Sequence, residues 1–123
     1  MTARLLAVAA AGEAATGLAL MMSPSIVIRL LMGAELSDAG SALGRITGFA
    51  LLSLGVACWP SSPPANRPSL ALPAMLIYTF LATIYLLGLG FGGALVGSLL
   101  WPAVAIHAVF TLLLARAWWR RQR

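Results

Sequence analysis

The sequence predicts an all-α integral membrane protein, a four-helix bundle with a short interfacial helix between spans one and two. Three observations carry that reading. Four apolar runs of about 20 residues can be drawn, the length that crosses a bilayer as a helix. Only 9% of the 123 residues are charged and 61% are hydrophobic, whereas a soluble domain carries about 25% charged residues. No run shows the strict alternation of a membrane β-strand. Eight basic and three acidic residues cannot coat a water-facing surface, so an ordinary soluble enzyme is excluded. A disordered chain is excluded because disorder requires low hydrophobicity.

The first span runs from about Ala3 to Met22 and ends at Ser23-Pro24. Its charged start and its small residues Ala9-Ala10-Ala11 also resemble a signal peptide. Three further runs follow, and this one is long enough to cross, so it is read as a span. Pro24 to Met32 is apolar but too short to cross, and is expected as a helix lying at the outer surface with Pro24 in its first turn. Glu35 and Asp38 are then expected in an outer loop. The second span runs from about Ser41 to Trp59 and stops at Pro60. Trp59 to Pro68 is a Pro-rich turn that cannot be helical. The third span runs from about Leu70 to Gly90. Gly88 to Gly97 holds five of the twelve glycines and is expected as a loose outer turn. The fourth span runs from about Leu99 to Trp118 and is followed by Trp-Arg-Arg-Gln-Arg. The whole of 1–123 is one four-span domain.

All the basic residues are arginine. With both ends inside, Arg4, Arg67, Arg116, Arg120, Arg121 and Arg123 face the cytoplasm, and only Arg29 and Arg45 face out. That asymmetry predicts that both termini are cytoplasmic. It also accounts for the basic balance without nucleic acid, which would need a basic stripe on a folded surface. Trp59, Trp101, Trp118 and Trp119 fall at span ends, where amphipathic rings favour the interface. The Arg-rich end reads as an anchor at anionic headgroups.

Helices in lipid pack through small residues. Gly40, Gly44, Gly48, Gly55 and Cys58 of the second span lie within about 80° of one another at 100° per residue. A neighbouring backbone is expected there, from this chain or from a second copy.

Polar groups inside the spans are few, and an intramembrane ionisable residue is a functional candidate by default. Glu13 lies at the middle of the first span and His107 near the middle of the fourth, with Tyr78 at similar depth in the third. Arg45 lies about 7.5 Å toward the outside of the second-span centre, from where its side chain could extend toward Glu13. Each span thus contributes one candidate: Glu13, Arg45, Tyr78 and His107. They form either a buried ion pair or hydrogen bond that fixes helix register, or a proton, quinone or haem site. His107 is the one histidine, which excludes two-histidine ligation of haem within a single chain but not across a homodimer. Tyr78 and Tyr85 share a helix face and are expected in the core. Met21, Met22 and Met32 gather at the outer end, where methionine fills apolar gaps.

Other chemistries lack their parts. There is no phosphate-loop motif, no H-E-x-x-H and no C-x-x-C, so no metal site is expected. The lone Cys58 cannot form an internal disulfide. Gly88, Gly90 and Gly93 spell G-x-G-x-x-G, but after a membrane helix and not a strand. No catalytic residue is assigned.

The stretch A-G-E-A-A-T-G-L-A-L, Ala11 to Leu20, with its membrane Glu13 followed four residues later by Gly17, resembles the DoxX-like small four-helix bacterial membrane proteins. Some of that group are linked to quinone-coupled sulfur oxidation and others to accessory roles. The resemblance implies a bundle and, faintly, a quinone.

Function is therefore expected to be that of a small accessory or anchoring subunit of a larger membrane complex, or of a homo-oligomer. The alternatives are a quinone- or haem-binding redox-linked subunit, and a small oligomeric transporter or channel. The lipid bilayer is a partner in every case.

Overall fold

The computed structural model describes residues 1–60 and 69–123. Among the described residues there are five helices and no strand: α1 (Thr2–Met22), α2 (Pro24–Met32), α3 (Asp38–Ala57), α4 (Ala71–Gly92) and α5 (Leu100–Arg121). Four of them, α1, α3, α4 and α5, are long and apolar enough to cross a membrane. The chain is a multi-pass, all-α membrane protein with a short helix between the first two spans. Most of the Pro-rich connection, with Arg67, lies outside the described residues; Trp59 and Pro60 are non-helical, as their sequence requires.

Helix ends are set by capping groups, and this moves two expected boundaries. The α3 helix starts at Asp38, three residues before the apolar run. The Ser37 side chain accepts the Gly40 backbone N–H at 3.1 Å, satisfying one of the orphan donors of the first turn. Asp38 adds a negative charge where the helix dipole favours it. Asp38 is therefore helical rather than a loop residue. At the other boundary, α4 continues through Gly88, Gly90 and Gly92 and ends only at Gly93, whose φ of 72° turns the chain left-handed. Only the second half of the expected glycine-rich turn is a turn.

Packing falls into two pairs. The α1 helix lies along α3, α4 lies along α5, and α1 alone of the first pair touches both members of the second. The first pair is built on glycine. A Cβ at Gly48 would stand 2.7 Å from the Gly17 carbonyl oxygen, one at Gly55 2.6 Å from that of Ala10, and one at Gly17 2.6 Å from the Leu52 backbone nitrogen. No side chain fits at these points, so the two backbones touch. The expected neighbour of the glycine stripe is thus α1 of the same chain, with Pro24 of α2 covering Gly44.

The short α2 helix is tied down by backbone hydrogen bonds. It ends at Gly33 in the left-handed conformation, φ 68°, leaving last-turn carbonyls without intrahelical partners. Gly97 N–H donates to Leu31 C=O at 3.1 Å and Leu99 N–H donates to Leu30 C=O at 2.8 Å. The α4–α5 connection is therefore stitched to α2, and Gly97 is required because a Cβ there would run into the Leu30 and Leu31 backbone.

Two apolar clusters occupy the two ends of the bundle. Leu6, Ala9, Ala10, Cys58, Leu72, Met75 and Leu114 form one; Leu86, Leu100 and Val104 form the other. Along α1, α4 and α5 the polar positions fall between them: Glu13 follows Ala10, Tyr78 follows Met75, and His107 lies between Val104 and Leu114.

Candidate functional site

Glu13, His107 and Tyr78 come together where α1 meets the α4–α5 pair. Glu13 is only 8% exposed. Its Oε1 lies 3.6 Å from Nε2 of His107. The Tyr78 ring meets the imidazole edge-on, with centroids 6.1 Å apart and planes at 61°, and its hydroxyl faces the Glu13 carboxyl group. Three groups that the sequence marks as rare polar positions on three separate spans thus share one site.

The hydrogen bonds decide how protons can be arranged. His107 Nδ1 lies 2.8 Å from the Ala103 carbonyl oxygen, one turn earlier on α5. A carbonyl only accepts, so Nδ1 carries the hydrogen and donates. The neutral imidazole then presents a bare Nε2 toward Glu13. One proton held between Glu13 and His107 leaves the pair neutral in sum, either as carboxylic acid beside imidazole or as carboxylate beside imidazolium. A neutral sum suits a site within apolar surroundings. At 3.6 Å the pair is longer than a direct hydrogen bond, so passing the proton requires the two side chains to close by several tenths of an ångström.

Threonines extend the polar seam along α4 and α5. Thr83 Oγ1 donates to the Thr79 carbonyl at 2.7 Å, and Thr111 Oγ1 donates to the His107 carbonyl at 2.8 Å. The two hydroxyl oxygens lie 3.4 Å apart. Each hydroxyl is thus closed onto its own helix, a common solution in apolar surroundings. In the sequence, Thr83 is marked only by its spacing of four from Thr79. The backbone acceptor at Ala103 has no side-chain signal at all.

Arg45 is not part of the site. It is exposed and makes no ion pair among the described residues, and Glu13 pairs with His107 instead. The reason is rotational phase. The glycine stripe of α3 faces α1, and Arg45 lies about 100° round the helix from Gly44. Tyr85 likewise leaves the expected core face, being 64% exposed while Tyr78 is partly buried. Met22 is 80% exposed. Outside the spans, Arg29 pairs with Glu35 at 3.4 Å on the exposed surface.

Among the described residues no group of three or more His, Cys, Asp or Glu side chains is placed to hold a metal ion. Haem ligation at His107 would have to displace an existing contact, since Nδ1 is committed to Ala103 and Nε2 faces Glu13. What the arrangement can do as it stands is hold a proton and hydrogen-bond a small polar group. Comparison with protein-family models, with curated protein sequences and with solved structures finds no match to this chain.

Proposed function

We propose that this chain is a small accessory subunit that packs laterally against a larger partner in a bacterial inner membrane, with both ends cytoplasmic. The observation that carries the reading is Arg45. It lies seven residues inside a membrane-capable helix, exposed, and in no ion pair among the described residues. An intramembrane arginine ordinarily faces protein or a polar partner. The α3 face that bears it, with Phe49 and Ser53, is uncovered. A second copy suits this face poorly, because a two-fold contact brings like residues together and sets Arg45 against Arg45. A partner helix with an Asp or Glu at matching depth satisfies it.

The test is native mass spectrometry of assemblies extracted gently from membranes. The wild-type chain is expected in a defined complex, Arg45→Leu free of it, and a carboxylate-to-Arg change in the partner is expected to restore pairing with Arg45→Glu. A wild-type chain that leaves the membrane as a stable monomer contradicts the reading.

A second reading rests on the Glu13–His107–Tyr78 site. The Tyr78 phenol lies there beside the one proton that Glu13 and His107 can share, and a donor of either kind can hydrogen-bond a quinone carbonyl. The DoxX-like resemblance of Ala11 to Leu20 points the same way. Organic extraction of the purified protein and an optical spectrum test it. Quinone in proportion to protein supports the reading, and its absence from protein prepared in quinone-containing membranes removes it.

A further inference from the structure

The last two turns of α5 carry Arg116, Trp119 and Arg120 at spacings of three and four that place them on one stripe of the helix, and Arg123 follows two residues past its end. With Ala115 they line an open groove of about 470 Å³. The Arg123 guanidinium lies over the Trp119 ring, 5.9 Å from its centroid. Three positive charges therefore converge on one groove, and no acidic side chain lines it. One turn closer to the membrane centre the same stripe continues as Leu112, 71% exposed. A single track thus runs from guanidinium groups through an aromatic ring to open apolar surface.

We propose that this groove is a discrete binding site for the phosphate of an anionic phospholipid, one lipid per chain. The phosphate oxygens would accept paired N–H groups from Arg116 and Arg120, geometry that guanidinium groups supply and ammonium groups do not. Trp119 sits at the headgroup level, where amphipathic rings are favoured, and holds Arg123 over the site. An acyl chain would follow Ala115 and Leu112 into the bilayer. A free phosphate ion would use the arginines but gain nothing from that apolar track. The site is more specific than a diffuse attraction of basic residues to a charged surface, which is graded, salt-screened and indifferent to which arginine supplies the charge.

The test is a lipid titration of the full chain in detergent, read by native mass spectrometry and by thermal unfolding. Phosphatidylglycerol, phosphatidylcholine of the same acyl chains, and inorganic phosphate form the three arms. One saturable phosphatidylglycerol adduct is expected, at least tenfold tighter than phosphatidylcholine, with no protection by millimolar phosphate. R116Q/R120Q, both at exposed positions where folding is not at stake, is expected to weaken that adduct at least tenfold, while R4Q leaves it unchanged. Equal binding of the two lipids, uptake without saturation, an unchanged R116Q/R120Q adduct, a comparable loss in R4Q, or equal protection by inorganic phosphate would each overturn the site.

Discussion

The α1 helix makes two interfaces of opposite character. Toward α3 it offers Gly17 and the Ala10 carbonyl, and the glycines of α3 close against them without room for a methyl group. Toward α4 and α5 it offers Glu13, which meets His107 at 3.6 Å with the Tyr78 ring edge-on to the imidazole. The first contact is backbone on backbone, with many short-range dispersion contacts and no polar choice to make. The second is thin and polar, and its central pair stands at 3.6 Å, longer than a direct hydrogen bond. The difference separates a fixed frame from an adjustable seam. Groups that hold a proton lie in the seam, and the frame holds α3 with Arg45 turned outward.

Breaking the frame should have the largest effect. Gly48→Leu places a branched side chain where even a Cβ would be 2.7 Å from the Gly17 carbonyl. We expect a loss of about 3 kcal/mol or more, the upper range of overpacking, seen as a large fall in thermal midpoint or failure to recover folded protein. An unchanged midpoint would show that α1 and α3 do not touch through glycine.

The seam should respond less, and in a coupled way. Glu13→Leu or His107→Leu leaves the other polar group buried with a partner missing, whereas the double variant removes both. The double variant should therefore be more stable than the sum of the singles predicts, by about 1–2 kcal/mol. A double-mutant cycle of unfolding free energies in one detergent measures it. Strict additivity would mean that the two side chains are independent.

Smaller still is the threonine contribution. Thr111→Val removes the contact to Thr83 and the bond to the His107 carbonyl. Both hydroxyl hydrogens are already donated within their own helices, so the shift in the same unfolding curves is expected to stay below the roughly 0.6 kcal/mol that an interhelical hydrogen bond averages in membranes. The smallest effect sharpens the comparison from the other side. Gly12 is also a glycine of α1, yet nothing lies within 4 Å of a Cβ added there. Gly12→Ala should be neutral or stabilising by about 0.5 kcal/mol through helix propensity. If Gly12→Ala damaged the fold as Gly48→Leu does, glycine content rather than close approach would be the cause.

Much of this was legible in the sequence, for identifiable reasons. Hydrophobic run length located the four spans, and Pro24 marked the short helix. The recurrence of Gly44, Gly48 and Gly55 on one stripe announced a close approach but not which helix would make it, because a small-residue stripe carries no address. Ser37 and Gly93 moved two boundaries, because a capping hydroxyl and a left-handed glycine outweigh the edge of an apolar run. The attachment of α2 to Gly97 and Leu99 uses backbone groups and so had no side-chain signature. Glu13, Tyr78 and His107 were legible as the rare polar positions of their spans. Depth along α3 brings Arg45 near Glu13, but its rotational distance from the glycine stripe, readable from the same residues, sets it outside.

That outward arginine makes the lateral face of α3 the most direct place to probe. A photo-crosslinking residue at Phe49, 52% exposed on α3, can be compared in intact membranes with one at Leu112, 71% exposed on α5. The account predicts a discrete protein adduct of a different polypeptide from position 49 and lipid adducts from position 112. Lipid adducts alone from both positions, or an adduct at twice the mass of this chain from position 49, would contradict it.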